Sequence, residues 1–431
     1  MAARDTALFV LMACRTRQAW SDGALKEYIA RDKLDGREAA LATRLVYSVL
    51  QNRMLLDFEL AAFLKGHLRD LQPVVLDVLR LGACQLLLFD KIPDSAAVNE
   101  AVKQARRHAN PRAAALVNGL LRTIIRNRDT LPEPPDLETR YSHPAALTAL
   151  LRRCVGEEKL EPLLRSHNEA PPITVQVNTL RGTAAALQAR LKESDVEAAA
   201  HPWCPDCLVL EGTGNLERLE SYREGLFYVQ DPAARLAAMA AGTAPGMAVL
   251  DCCAAPGGKS FAAAIAMENR GTLVPCDLHA HKVPLLQKGA DRLGLSVLTP
   301  RCQDATEDVP EFHEAFDCVM ADVPCSGLGV IRKKPDIRYR DLGQLAGLPP
   351  VQRRILETQS AYVRPGGVLL YSTCTIVPEE NEGVIRAFLA DHPEFSREAA
   401  PIPLDNDGEA TLLPCDEGTD GFYFCRMRKV R

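Results

Sequence analysis

Two cysteines stand where their thiols could do chemistry: Cys325 in residues 322–327 (DVPCSG) and Cys374 in residues 371–382 (YSTCTIVPEENE). A thiolate is partly populated near neutral pH and is both a good nucleophile and a good leaving group. Two at one site suit a reaction in which a thiolate adds covalently to a substrate and is later expelled. Each cysteine follows an apolar run that predicts a buried strand, FDCVMAD and GVLLYST, so both thiols are expected at one edge of one sheet. A single cysteine in such a run is usually core filler, and two in matching loop contexts are not.

Residues 251–260 (DCCAAPGGKS) follow another predicted strand and lead into an apolar helix, FAAAIAM. A dinucleotide fingerprint would need G-x-G-x-x-G, but the loop has only Gly257 and Gly258. A phosphate loop is matched from Cys253 to Ser260 except that Cys253 replaces the first glycine and Pro256 removes an amide donor. A nucleoside-binding turn of the S-adenosylmethionine type fits better. Its two glycines would let the backbone approach a ligand, and Asp277, at the end of the next strand TLVPCDL, would take ribose hydroxyls.

These loops need a scaffold. From about residue 237 apolar strands alternate with helices, which predicts a mostly parallel sheet with helices on both faces and ligands at the carboxyl ends of the strands. Residues 1–135 instead carry helical periodicity, as in LATRLVYSVLQNRMLLDFELAAFL, and form an all-α domain. The run LPEPP (131–135) marks its end. Residues 136–236 mix helix with short strands (ITVQVNTL, LVLEG, LFYVQD), predicting a helical linker and a small α+β subdomain. The catalytic domain is then 237–431.

The chain has 431 residues, 47% hydrophobic and 25% charged, enough for several cores. Its 14 cysteines are irregularly spaced and read as reduced thiols. No apolar run reaches the ~20 residues of a membrane span, and no secretion signal opens the chain, so a cytoplasmic protein without a membrane partner is expected. The net charge of -5 hides a segregation: residues 1–130 hold 20 Lys+Arg against 14 Asp+Glu. Seven bases (Lys103, Arg106, Arg107, Arg112, Arg122, Arg126, Arg128) fall between Asn99 and Arg128 with one acid, Glu100, a footprint for RNA phosphates or a solvated helix face. Cys204 and Cys207 (CPDC) have zinc-like spacing without a second ligand pair, so no metal is expected. The histidines, His279 and His281 included, do not cluster and are given no role.

Taken together, DCCAAPGGKS, DVPCSG and YSTCTIVPEENE, in that order, resemble the cofactor loop and the two cysteine motifs of RNA cytosine-5 methyltransferases. RLVYSVLQNR, LRLGACQLLLFDKIPDSAAVNEAV and LVNGLLR are similar to the NusB-like domain of the bacterial RsmB/Sun/Fmu-type 16S rRNA members. The likeness covers nearly the whole chain. It departs at Val323, where the family usually has Ala, and at Cys252, a variable position. It implies a Rossmann-like S-adenosylmethionine methyltransferase domain, a monomer, and ribosomal RNA not yet assembled into a ribosome as substrate, rather than DNA. Transfer RNA, or a non-catalytic NusB-like antitermination role, is the competing expectation.

By resemblance Cys374 attacks carbon 6 of the cytosine and Cys325 assists release, whereas spacing alone leaves the roles interchangeable. Asp322 is expected to hydrogen-bond cytosine N3 and the exocyclic amine, and Lys259 to neutralise charge or lower the nucleophile's pKa. The cofactor set carried over is Cys253, Ala254, Ala255, Pro256, Gly257, Gly258, Lys259, Asp277, Asp304 for the adenine amine, and Asp322. Residues 378–381 (PEEN) read as a helix start that fixes the Cys374 loop. Arg332, Lys333, Lys334, Arg338 and Arg340 are expected to grip RNA phosphates at the mouth of the site.

Overall fold

The structure is a computed structural model that describes residues 2–430, so the outermost residue at each end of the chain lies outside the description. Two compact units emerge: residues 1–169 together with Ile331–Asp341, and residues 170–330 together with Leu342–Arg431.

The first unit is all helical. Its early helices are Ala2–Arg17, Ser21–Arg31, Gly36–Gln51, Arg53–Phe63, Pro73–Leu88, Asp94–His108 and Pro111–Arg126. They enclose a core that includes Leu8, Leu45, Leu60, Leu79, Val117 and Leu121. Starts are marked chemically. Asp35 and Asn110 cap their helices through side-chain oxygens, and Pro111 occupies a first-turn position where no amide is needed. The chain is irregular through residues 131–134, yet the following helices Leu137–Tyr141 and Ala145–Ser166 stay in this unit, which runs on to Glu169.

The second unit holds two sheets. The smaller contains β1 (Ile173–Val177), β2 (Glu197–His201), β3 (Cys204–Glu211) and β4 (Phe227–Val229) in the order β2-β3-β1-β4, all antiparallel. The larger is built from β5 (Ala248–Asp251), β6 (Thr272–Asp277), β7 (Arg301–Cys302), β8 (Phe316–Asp322), β9 (Val363–Thr373), β10 (Phe395–Arg397), β11 (Glu409–Leu412) and β12 (Phe422–Lys429). Its order is β10-β12-β9-β8-β5-β6-β7, with β11 beside β12. The neighbours β9, β8, β5, β6 and β7 run parallel, and β12 is antiparallel to β9. Strands such as β8 and β9 are apolar along most of their length because helices cover both faces. The expected strand in SVLTPRCQD shrinks to Arg301–Cys302, since only an edge position is left for it.

Candidate active site

Parallel pairing puts the carboxyl ends of four adjacent strands side by side: β5 ends at Asp251, β6 at Asp277, β8 at Asp322, and β9 at Thr373, one residue before Cys374. Cys325 and Cys374 leave neighbouring strands, and their Sγ atoms lie 3.3 Å apart. Crosslinks bind the two loops. Ser326 Oγ and Thr375 Oγ1 are 2.8 Å apart, and Gly329 N–H donates to Cys374 O at 3.0 Å. Gly329 must lack a side chain, because a Cβ there would sit 1.9 Å from Gly421 O.

The two thiols are not equivalent. Accepting a hydrogen bond from Cys325 holds Cys374 below the ordinary thiol value, with help from the Lys259 ammonium and against burial and the Asp322 charge. Cys325 is pushed the other way by its hydrogen bond to Cys374, by burial, by the Cys374 charge and by the Glu380 carboxylate. The arrangement therefore favours thiolate at Cys374 and thiol at Cys325.

Lys259, in the first turn of helix Gly258–Ala266, pairs with Asp322 Oδ2 at 2.7 Å and lies 4.9 Å from the Phe422 ring centroid. Burial disfavours its ammonium, but the Asp322 charge and hydrogen bond outweigh that and hold its pKa above the usual lysine value. The other oxygen of Asp322 accepts from Ser372 Oγ at 2.8 Å. A carboxylate has lone pairs beyond these two bonds, so Asp322 can still meet a substrate donor.

Beside this group lies a cavity of about 180 Å³ lined by Asp251, Cys253, Ala254, Ala255, Pro256, Gly258, Lys259 and Asp322, with Gln230 above it. A second, mainly apolar cavity of about 540 Å³ is lined by Cys253, Leu278, Asp304, Pro324, Val351, Arg354 and Ile355, among others. Asp277 Oδ1 accepts from His279 N–H at 2.9 Å and lies 3.4 Å from Lys282 Nζ. Asp304 Oδ1 accepts from the amide and hydroxyl of Thr306, which hold its carboxyl below the usual range.

Comparison with known proteins identifies this arrangement. The family model described as 16S rRNA methyltransferase RsmB/F matches residues 239–428, the NusB family model residues 1–126, and an RsmF/B-like ferredoxin-like domain residues 143–217. A probable ribosomal RNA small subunit methyltransferase B of Bacillus subtilis is 37% identical, with 99% of this chain and 98% of that protein covered. The chain belongs to the RsmB/F methyltransferase family. The ribosomal RNA small subunit methyltransferase B of Vibrio cholerae is 32% identical over 93% of this chain and 92% of its own. The crystal structure of PH0851 matches with a TM-score of 0.82 at 27% identity, covering 99% of this chain and 98% of that one.

RsmB/F enzymes take their methyl group from S-adenosylmethionine, and the strand ends fit such a ligand. Asp251 Oδ1 is buried without a hydrogen-bond partner in the wall of the smaller cavity, an acceptor suited to an ammonium group. Burial lifts the Asp251 carboxyl to about 6, opposed by the Ser260 hydroxyl. Gly257 has φ +114°, and a Cβ there would be 2.4 Å from the Phe261 ring; one on Gly258 would be 3.1 Å from Gln230. Gly257 thus makes room for the Phe261 ring in the core, and Gly258 keeps its backbone close to Gln230 in the cavity wall. The apolar cavity between Leu278 and Ile355 suits an adenine.

Other expectations need revision. Arg332 and Arg338 of the basic stretch do not reach phosphates, because they are buried, 4% and 1% exposed, whereas Lys334 is exposed. Arg338 spends its donors on the carbonyls of Gln51, Tyr141 and His167. Arg340 stacks 4.0 Å from the Trp20 ring. The histidines do cluster: His143 Nε2 lies 3.0 Å from His167 Nδ1, both fully buried. Cys204 packs against Met239 Sδ, and Cys207 accepts from Gln176. The sequence also gives no sign that Asp251, which opens the quoted loop, lines the cavity, or that Ser372 and Gln352 join the site.

Proposed function

We propose that this protein methylates carbon 5 of a cytosine in 16S ribosomal RNA through a covalent bond between Cys374 and carbon 6. The observation that carries the proposal is the pair of unlike thiols 3.3 Å apart beside Lys259 and Asp322. Ribosomal RNA is supported by the names of the relatives and by the exposed bases of the helical unit, Arg106, Arg112, Arg122 and Arg126 among them.

Carbon 5 of cytosine is a weak nucleophile. When the Cys374 thiolate bonds to carbon 6, the ring loses its aromaticity, N3 takes up a proton from solvent and donates it in a hydrogen bond to the Asp322 carboxylate, and carbon 5 gains enamine character. S-adenosylmethionine, held beside the loop glycines and Asp251, would supply the electrophilic methyl that carbon 5 accepts. With the Cys374 charge spent in the carbon 6 bond, Cys325 gives up its proton to solvent and as thiolate removes the carbon 5 proton; the double bond re-forms, Cys374 leaves as thiolate and N3 returns its proton to solvent. The loop glycines and Asp251 hold the donor, and Lys259 balances the charge of Asp322 and Cys374. The target base must leave its stack to reach the thiols, which suits RNA that is not yet folded into a ribosome.

The test uses 16S rRNA transcript and S-adenosylmethionine. Cys374→Ser is expected to abolish methyl transfer and any denaturation-resistant enzyme–RNA band, whereas Cys325→Ser should accumulate that band. Bisulfite sequencing of 16S rRNA from a deletion strain should lose one methylcytosine. An unchanged map, or a methylating Cys374→Ser enzyme, defeats the proposal.

A further inference from the structure

Residues 378–381, expected to open a helix, precede it instead: the helix is Glu382–Asp391, and Glu380 and Asn381 are buried to 1% and 0% exposure. Their side chains reach the two cysteine loops separately. Glu380 Oε2 accepts from Ser326 N–H at 2.9 Å, on one flank of Cys325. It also accepts from Gln352 Nε2 at 2.9 Å, and that same amide donates to Pro324 O at 3.0 Å, on the other flank. Asn381 does the equivalent for the second loop. Its Oδ1 accepts from Thr373 Oγ1 at 2.6 Å and its Nδ2 donates to Thr375 O at 3.0 Å, bracketing Cys374. Tyr371 OH fixes the turn between them by donating to Glu380 O at 2.6 Å.

A buried carboxylate is costly, and this one keeps Oε1 buried with no hydrogen-bond partner. A helix start would need no such group. We infer that Glu380 and Asn381 are positioning residues that divide the reaction between them: Glu380, through Gln352, sets Cys325 for product release, and Asn381 sets Cys374 for attack. The inference rests on the cysteine roles proposed above. Its consequence is that two adjacent residues control two different steps, which a shared scaffolding role would not produce.

Adduct formation and product release are measured separately, by single-turnover trapping of the enzyme–RNA band and by its decay, with 16S rRNA transcript and S-adenosylmethionine. Glu380→Ala is expected to form the adduct within about threefold of the parent rate but to release it at least tenfold more slowly. Glu380→Gln, which keeps an oxygen for Ser326 and Gln352, should restore most of the release rate and shift its pH profile, because the charge beside Cys325 is gone. Asn381→Ala should slow adduct formation at least tenfold while adducts already formed decay normally. Equal slowing of both steps in either alanine variant, or parental release by Glu380→Ala, overturns the inference. If Glu380→Ala is recovered unfolded, Glu380→Gln decides alone, and a parental pH profile of release counts against it. A Cys374→Ser enzyme that still forms the adduct would instead overturn the cysteine assignment, leaving a result distinct from all of these.

Discussion

At the scale of single residues, two chemically identical side chains are separated first by the hydrogen bond between them and then by the charges around each. Cys374 has the Lys259 ammonium working against the Asp322 carboxylate, and Cys325 has the Glu380 carboxylate. Lys259→Met would keep much of the packing against Phe422 and remove the charge. Asp322 would then face Cys374 without its 2.7 Å partner, so the Cys374 thiol should titrate at higher pH. The expected outcome is an upward move in the pH at which iodoacetamide alkylates Cys374, with adduct formation at pH 7 down roughly 10- to 100-fold. Pulse alkylation followed by peptide mass analysis reads the first, and single-turnover trapping reads the second. The sequence made Lys259, Asp322 and both cysteines legible because each sits in a motif whose chemistry needs that residue type. Glu380 was not legible, since an acid after proline reads as a helix cap, and only burial reveals that its carboxylate turns inward to Ser326.

At the scale of elements, the site depends on the loops after β8 and β9 and the entry to β12 crossing closely. Gly329 and Gly421 pass with so little room that a Cβ on Gly329 would lie 1.9 Å from Gly421 O and 2.8 Å from Cys374 O. Gly329→Ala must therefore push the Cys374 loop off its register and break the 3.0 Å bond from the Gly329 amide to Cys374 O. Because the cofactor loop follows β5 instead, S-adenosylmethionine binding by calorimetry should stay within about threefold of the parent. Methyl transfer should fall at least 100-fold, as expected for ångström-scale misplacement of a reacting group. These elements were readable because β5, β6, β8 and β9 are apolar runs ending abruptly in Asp or in a cysteine loop. The two-residue β7 was not, because an edge strand's extent is set by its neighbour rather than by its own composition.

For the molecule as a whole, the telling feature is that Ile331–Asp341 belongs to the helical unit although the chain on both sides of it belongs to the other. The charge in this segment is legible in the sequence, and the burial of Arg332, Asp336 and Arg338 is not. Within the helical unit, Arg338 joins Gln51, Tyr141 and His167 through their carbonyls, Tyr339 OH donates to Leu50 O, and Ser21 Oγ donates to Asp336 Oδ1. Next to Arg338, His143 and His167 are held well below the ordinary histidine value, first by burial and then by the Arg338 charge. The native pair therefore stays neutral, while the unfolded chain takes up protons below its pKa of about 6.5. A depressed histidine contributes stability that is present above that value and lost as pH falls beneath it. For two such groups the helical unit should lose about 3 kcal/mol between pH 7.5 and 5.5. Hydrogen exchange of the helices Gly36–Gln51 and Ala145–Ser166 across that range, corrected for intrinsic rates, measures the loss. Replacing both histidines by glutamine should flatten the pH dependence. Arg338→Met should instead cost about 3 kcal/mol already at pH 7.5, because the carbonyls of Gln51 and His167 lose their donor while Tyr141 O keeps only His143 and Asn168. A pH-independent exchange pattern in the parent protein would mean that the folded pair takes up protons as readily as the unfolded chain, which burial and the charge of Arg338 oppose.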